Sequence, residues 1–231
     1  MSIQVVGIDG DDTLWHSESL FAVTNERIRE LLAPHVSTDV LDERLLDVER
    51  RNLSIFGYGA KAFTLSVIET AIEVTHGRVT NAEIQAIIDL GKALLTHPVE
   101  LLDGVTEAID ALGDRRLVLI TKGDLFHQES KVAGSGLGER FHSVQVVSEK
   151  NPGTYRRVLD AVDVAPEQFV MVGNSLRSDV EPVVSIGGRA VHVPYEHQWA
   201  LDSHPEGDLP DDGWWRIDSL AELPALLGRI D

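Results

Sequence analysis

Short apolar runs alternate with amphipathic stretches over the second half of the chain. Runs that favour buried strands occupy residues 117–120, 144–147, 169–172 and 189–193, and a similar run stands near the N-terminus at 5–8. Stretches before and between these later runs, such as 105–112 and 153–162, carry apolar residues at helical spacing, and residues 219–227 are predicted to form a closing helix. Strands that alternate with helices predict an α/β fold with a doubly wound parallel sheet.

Residues 17–97 show a different pattern. Apolar residues recur there at helical spacing, Thr80 to Glu83 is typical of a helix start, and no run predicts a strand. About eighty helical residues exceed what one crossover in a parallel sheet needs, so we expect a separate helical domain. Residues 17–97 would form it, and residues 1–16 with 98–231 would form the core.

Acidic residues follow the first predicted strand directly. Asp9 and Asp11 are two positions apart, so their side chains can project to the same side of the strand end, where Thr13 adds a hydroxyl. Two carboxylates so close repel each other unless a cation or a shared proton lies between them. The same residues also suit a plain acidic turn, and this stretch alone leaves both interpretations open. An EF-hand loop is excluded, because Leu20 occupies the position of its bidentate Glu.

Polar residues also end the later strands. Thr121 and Lys122 close one strand, Lys150 follows the next, and Asn174 and Asp179 follow a third. Considered singly, a strand-end Thr satisfies local backbone groups, and a lysine at a helix start is usually solvated. The carboxyl ends of parallel strands nevertheless lie at the edge where such sheets bind ligands.

The composition of the chain limits the classes of molecule that it can bind. The chain has 38 acidic and 20 basic residues, a formal charge of -18, which disfavours nucleic acid and anionic membrane surfaces. Local cations must therefore bind any anionic substrate. The absence of cysteine excludes disulfides, zinc-thiolate sites and a cysteine nucleophile. No run is long enough to span a membrane, and the first strand begins too close to Met1 for a signal peptide, so we expect a cytoplasmic protein.

Two irregular segments stand out. Residues 56–63 combine glycines, aromatics and one lysine, which fits either a packed turn between helices or a mobile loop whose Tyr58 or Lys61 contacts substrate. Residues 195–213 are rich in Pro, Asp, Gly and His and predict an ordered surface loop with Trp199 as its packing anchor. We interpret His197 and His204 within it as solvated loop residues.

Taken in order, the four strand ends resemble the four motifs of the haloacid dehalogenase superfamily. Asp9, Asp11 and Thr13 match its Asp-x-Asp-x-Thr motif, although Asp12 stands where many members have Gly. Thr121, Lys150 and the pair Asn174 and Asp179 match the later motifs, with Asn174 in place of an acid. The resemblance implies a Rossmann-like core with a helical cap inserted after the first motif.

The resemblance also implies a phosphatase. Asp9 would attack the phosphorus of a small phosphorylated metabolite to give an aspartyl phosphate. Asp11 would protonate the leaving alcohol and then activate water. Asp11 decides against the dehalogenases, because members of that kind lack an acid at this position.

Ligand roles follow from the same resemblance. The Thr121 hydroxyl and neighbouring amides would hold the phosphoryl group, with Thr13 beside them, while Lys150 offsets negative charge. Lys122 is secondary, because strand alternation points it elsewhere. Apart from the resemblance, we expect Lys61 to reach the rest of the substrate, because an acidic chain needs local cations to bind an anion. Mg²⁺ would bind the Asp9 carboxylate, the Asp11 carbonyl, Asp179 and Asn174. Because Asn174 removes one negative charge, we expect weaker metal binding than in members with both acids.

Two alternatives stay open. A phosphomutase uses the same two aspartates but returns the phosphoryl group to bound substrate, and the core motifs do not separate it from a phosphatase. An inactive phosphate-binding or receiver-like protein would keep the acidic pocket and the lysine without turnover, and Asn174 favours this interpretation. Receiver domains are, however, about half this length and lack a helical insert.

Overall fold

The computed structural model describes residues 2–202, 209–210 and 212–231. The chain forms two compact units, one made of Met1–Ser17, Val99–Lys122 and Gln128–Asp231, and the other of Glu18–Pro98 with Gly123–His127. The short segment 123–127 follows the strand that ends in Thr121 and Lys122. The sequence pattern gave no sign that this segment groups with the helical unit.

The first unit contains a parallel sheet. Its strands are β1 (Val5–Ile8), β2 (Arg116–Lys122), β3 (Ser143–Val147), β4 (Phe169–Gly173), β5 (Arg189–His192) and β6 (Trp214–Arg216). They lie in the order β3-β2-β1-β4-β5-β6, and every neighbouring pair is parallel. The predicted doubly wound α/β fold is confirmed, although the sequence pattern did not predict β6. The first strand is therefore central, between β2 and β4.

The second unit is helical. Its helices are α1 (Glu18–Leu32), α2 (Thr38–Phe56), α3 (Ala60–Val74) and α4 (Asn81–Thr96), and its described residues include no strand. Thr80 and Glu83 form a reciprocal capping box at the start of α4, as the sequence predicts. The irregular segment is shorter than expected, because helices continue to Phe56 and resume at Ala60. Gly57 and Gly59 adopt positive φ angles of 71° and 103° in this turn, a conformation that favours glycine.

Helices cover both faces of the sheet. They are α5 (Val105–Ala111), α6 (Leu125–Ser135), α7 (Pro152–Ala161), α8 (Glu181–Val184) and α9 (Leu223–Ile230), with a π-helical turn at Leu176–Val180. Val6 and Ile8 of β1 pack with residues of α5 and α9, whereas Val5 packs on the other face with residues of α7 and α8. This alternation is the period of two expected of a strand buried on both sides.

The loop after β5 is described in part. Trp199 is half-buried beside a short turn at Ala200–Asp202. His197 is exposed and lies 3.2 Å from the Glu196 carboxylate, and His204 lies outside the described residues. Over the part of the chain that the structure describes, none of the helices has the length and apolar character needed to cross a membrane.

Candidate active site

Four strand ends place polar side chains at one edge of the sheet. The Asp9 N–H donates to Val172 O of β4 at 2.9 Å, so β1 keeps its pairing up to the carboxylate. Thr121 is the next-to-last residue of β2 and is 1% exposed. Lys150 follows β3, and Asp179 lies in the π-helical turn after β4. Because the strands are parallel, their carboxyl ends lie at one edge of the sheet, and these four residues lie there together.

Lys150 joins two of the predicted acids. Its Nζ donates to Asp9 Oδ1 at 2.5 Å and to Asp179 Oδ1 at 2.6 Å. All three side chains are buried, and the lysine side chain is only 1% exposed. Two carboxylates and one ammonium leave an excess negative charge in a place that water hardly reaches, which is an arrangement that binds a cation readily.

The pKa values reflect this crowding. Burial raises the pKa of Asp9 to about 7, with Lys150 lowering it and the neighbouring Asp179 raising it further. Burial alone lowers the pKa of Lys150, but the carboxylates of Asp179 and Asp9 more than compensate and raise it above its ordinary value. The lysine therefore stays charged. Burial and repulsion from Asp179 act instead on Asp9, whose pKa they raise.

The Asp179 carboxylate is fixed by its surroundings. The Ser175 N–H donates to Asp179 Oδ2 at 3.0 Å, and the Tyr155 hydroxyl donates to Ser178 O at 2.9 Å and lies 3.5 Å from Asp179 Oδ1. A Cβ on Gly173 would overlap the Asp179 carboxylate. Sequence reasoning missed Tyr155, which has the spacing of an ordinary core residue, and saw Gly173 only as the end of a strand.

Asp11 takes a different set of partners. The chain turns at Gly10, whose carbonyl accepts the Leu14 N–H at 2.8 Å, so strand alternation no longer governs residue 11. Trp15 Nε1 and Lys131 Nζ donate to Asp11 Oδ1 at 2.6 and 2.7 Å, and Gln128 Nε2 donates to Oδ2 at 2.9 Å. Burial raises the pKa of Asp11, but Lys131 and the other donors bring it below its ordinary value. The two aspartates thus point to separate partners.

Lys131 and Gln128 were not predicted as site residues, because the sequence pattern did not predict α6. The two residues are three positions apart and so lie on one face of that helix. A start signal was available, since Asp124 Oδ1 accepts the His127 N–H at 3.0 Å in the pattern of an N-cap. Nothing local in the sequence, however, pairs a lysine at position 131 with a carboxylate 120 positions away.

Asp12 has a conformational explanation. Its φ is +61°, in the left-handed region that glycine adopts with least strain, so a glycine would also suit this position. Aspartate tolerates this region better than most residues. Asp12 is buried, and its Oδ1 accepts the Ser17 N–H at 2.9 Å, which holds the chain at the exit of the turn.

The two threonines retain hydrogen-bonding capacity. Thr13 is 1% exposed, and its hydroxyl has no hydrogen-bond partner. The Thr121 hydroxyl makes a long contact of 3.3 Å to Lys122 O and lies 3.4 Å from where a Cβ on Gly10 would stand. Buried hydroxyls are normally hydrogen-bonded, so both are suited to a ligand oxygen.

Lys122 and Asn174 lie at the same edge. Lys122 Nζ donates to Ser178 Oγ at 2.8 Å and to Asp202 Oδ1 at 3.3 Å, next to the turn that carries Asp179. Asn174 follows β4 directly, is half-buried, and its carbonyl lies 3.0 Å from His192 Nε2. The structure therefore brings a second cation to the strand ends.

Lys61 belongs to the helical unit. Its Nζ donates to Asp124 Oδ1 at 2.8 Å and lies 5.8 Å from the centre of the Phe126 ring. The side chain is 51% exposed. Lys61 thus already has a carboxylate partner within its own unit, a pairing that the sequence did not predict.

The donor set suits one kind of metal. Among the described residues, no three His, Asp or Glu side chains are grouped so that they could hold a metal by themselves. Mg²⁺ does not need such a cage, because it usually keeps several waters and takes one or two carboxylates together with phosphate oxygens. Asp9 and Asp179 supply two carboxylates on one lysine, so the residues present fit Mg²⁺.

Comparisons with known families and solved structures find haloacid dehalogenase-like proteins. The family described as haloacid dehalogenase-like hydrolase matches residues 3–187. A haloacid dehalogenase-like family hydrolase from Xanthomonas campestris has 48% identity and a TM-score of 0.89, over 100% of this chain and 92% of that one. L-2-haloacid dehalogenase from Xanthobacter autotrophicus shares the fold at 18% identity, with a TM-score of 0.68 over 98% of both chains.

A curated relative adds an activity for comparison. N-acylneuraminate-9-phosphatase of Mus musculus is 28% identical over 171 residues, 71% of this chain. The match spans 66% of that relative, just under two thirds of its length.

Proposed function

Because the chain belongs to the haloacid dehalogenase-like hydrolase family, we propose that it is a Mg²⁺-dependent phosphatase that hydrolyses a small phosphomonoester through an aspartyl phosphate. The observation that carries this proposal is the buried group in which Lys150 binds both Asp9 and Asp179. A buried carboxylate beside a fixed cation is what an anionic nucleophile needs to approach an anionic phosphate.

Asp9 is the nucleophile of the proposed reaction. One of its oxygens forms a bond to phosphorus while the bond from phosphorus to the ester oxygen breaks. Lys150 and Lys122 lie at the strand ends, where their charge stabilises the phosphoryl oxygens, and the Thr121 and Thr13 hydroxyls donate to those oxygens. In this assignment the first step converts the Asp9 carboxylate to an aspartyl phosphate, a mixed anhydride, and the second step regenerates the carboxylate.

Asp11 moves the protons. In the first step its carboxyl gives a proton to the leaving alcohol, and in the second it takes a proton from the water that attacks phosphorus. The products are the alcohol, inorganic phosphate and free Asp9. The three donors on Asp11 favour its ionised form, which the second step requires, and disfavour the protonated form, which the first step requires.

Mg²⁺ would be held by the carboxylates of Asp9 and Asp179 and the carbonyl of Asp11, with Asn174 as the remaining protein ligand. When bound, the ion neutralises phosphoryl charge and orients the phosphate for in-line attack. Asn174 is neutral where resembling sequences carry an acid, so this chain has one fewer negative charge to retain the ion.

The phosphatase assignment also has support from relatives. The curated relative in mouse, N-acylneuraminate-9-phosphatase, is named for a phosphatase activity. Likeness to the dehalogenase is limited to the fold at 18% identity. Asp11 is the residue that separates the two chemistries, because a phosphate ester needs a proton donor for its leaving alcohol.

Turnover of the purified protein tests the proposal. We expect release of inorganic phosphate from p-nitrophenyl phosphate and from members of a panel of metabolite phosphates, lost with a chelator and restored by Mg²⁺. Product analysis with sugar phosphates separates the phosphomutase, which gives isomerised phosphate instead of free phosphate. Absence of metal-dependent turnover on every ester would contradict the proposal.

A further inference from the structure

We propose that Lys131 and Gln128 are positioning residues that fix the direction of the Asp11 carboxylate for proton transfer to the leaving group. This inference rests on the proposed phosphatase function. It assigns a task to two side chains of α6 that the motif pattern does not include.

The geometry leaves the carboxylate little freedom. Lys131 Nζ donates to Oδ1 and Gln128 Nε2 to Oδ2, so each oxygen has a donor from α6. Trp15 Nε1 donates to Oδ1 from the other side of the turn, at 2.6 Å. Donors on both oxygens fix the rotation of the carboxylate about its last bond, which one ion pair does not.

Gln128 also anchors the helix itself. The same Nε2 donates to Lys122 O at 2.7 Å, at the end of β2. Gln128 is 3% exposed, so its placement is set by packing and not by solvent. Gln128 therefore links α6 by hydrogen bonds both to β2, which carries Thr121, and to Asp11.

A purely stabilising role accounts poorly for this arrangement. The Lys131 side chain is 13% exposed and that of Asp11 is 29% exposed, so the lysine is withdrawn from water while the carboxylate remains accessible. Holding a lysine in that position has a desolvation cost, and an isolated ion pair near the surface contributes little to stability. An accessible carboxylate with buried, fixed partners is suited to act on a bound molecule.

The role has a chemical signature. A phenol with strongly electron-withdrawing substituents leaves phosphorus without a proton, whereas a poor leaving group needs one. Misplacing Asp11 should therefore slow esters of poor leaving groups and spare esters of good ones. A defect in nucleophilic attack or in folding would slow all esters alike.

The test measures kcat/KM for dinitrophenyl, p-nitrophenyl and phenyl phosphate, which are all aryl phosphates and differ in the stability of the leaving phenolate. For Lys131→Met and Gln128→Leu we expect about 10- to 100-fold loss on phenyl phosphate and less than about 3-fold loss on dinitrophenyl phosphate. Lys131→Arg should restore most of the phenyl phosphate activity. Lys92→Met, which removes an exposed lysine of the helical unit, should match the wild type. Circular dichroism of each variant checks folding.

The outcomes separate the inference from the proposed function. Equal losses on all three esters, or no loss, for both Lys131→Met and Gln128→Leu would overturn the inference while Asp11→Asn still shows the leaving-group dependence. If Asp11→Asn itself lacks that dependence, the assignment of Asp11 as the acid fails and the inference fails with it. No turnover of any ester by the wild type would overturn both.

Discussion

The two units of this protein use charge in opposite ways. In the sheet unit, Lys150 has a side chain that is 1% exposed and is shared by two buried carboxylates. In the helical unit most ion pairs lie near the surface, as in Arg51 with Glu69, whose side chains are 47% and 42% exposed. Exposed pairs contribute about 0–1 kcal/mol each, whereas removing one partner of a buried pair costs about 3–5 kcal/mol.

The contrast predicts where substitutions act. At the strand ends each charge depends on its neighbours, so one change should disturb metal binding, chemistry and folding together. In the helical unit, substitutions of the exposed charged residues should leave folding and the basal hydrolysis rate nearly intact. They should affect only which substrates are turned over. The following experiments test this division.

The largest effect should come from Asp9→Asn, which keeps the shape of the side chain and removes the nucleophile. We expect turnover of every phosphate ester to fall by at least about 1,000-fold. The matched change Asp42→Asn in the helical unit removes an exposed carboxylate that pairs with Arg29, and it should leave kcat unchanged. Comparable activity of the two variants would break the contrast.

Lys150→Met should affect folding as well as chemistry. It leaves Asp9 and Asp179 without their shared cation, which we expect to lower the free energy of unfolding by about 3 kcal/mol in urea titrations. Added Mg²⁺ should recover part of that loss, because a divalent cation can take over the charge. Lys92→Met is the control in the helical unit. Equal stability of both variants, with no response to Mg²⁺, would contradict the account.

Gly173→Ala tests the support of Asp179. The added methyl group overlaps the Asp179 carboxylate, so the carboxylate must move. We expect about 10-fold lower kcat and a higher Mg²⁺ concentration for half activity. Gly228→Ala in α9 meets no atom within 4 Å and provides the matched control. An unchanged Mg²⁺ requirement in Gly173→Ala would show that the position of Asp179 does not matter.

Lys61→Ala should act on substrate choice alone. Removing its charge is expected to raise KM or lower kcat about 3- to 10-fold for the best metabolite of the panel, while p-nitrophenyl phosphate hydrolysis stays nearly intact. If Lys61→Ala matches the wild type on that metabolite, residues 56–63 are only a packed turn.

The smallest effect concerns stability and pH in the helical unit. Hydrogen bonds from the Thr80 N–H, His35 and the Thr80 hydroxyl lower the pKa of Glu83 from 4.5 to about 2. Because the folded pKa is depressed, the stabilisation is fully present above the unfolded value and is lost as pH falls towards the folded one. Glu83→Gln should therefore be slightly less stable than the wild type near neutral pH, and the difference should disappear in strong acid. A difference that persists there would contradict this cause.

Part of the site was predictable because the topology of a parallel sheet determines where the residues at its strand ends lie. Once the strands were identified, the rule that parallel strands end at one edge placed Asp9, Thr121, Lys150 and Asp179 together. Thr121 lies at the end of its strand and the other three follow theirs within a few residues, so the local pattern is enough. The same holds for the capping box at Thr80, whose partner is three residues away.

The partners of Asp11 were beyond such reasoning. Lys131 reaches it from a helix 120 positions away, and no period or spacing records that contact. The turn at Gly10 also cancels the strand alternation on which the joint placement of Asp9 and Asp11 depended. Lys61 was likewise recognised as an isolated cation, although its pairing with Asp124 depends on tertiary structure.

The most direct test of the central claim is to trap the intermediate. Acid quenching during turnover of a radiolabelled phosphate ester with Mg²⁺, followed by peptide mapping, should place labelled phosphate on Asp9, and the label should turn over as fast as phosphate is released. Asp9→Asn should carry none. Phosphate release without labelled protein, together with full activity of Asp9→Asn, would contradict the account, and a single stable equivalent without turnover would identify a phosphoacceptor instead.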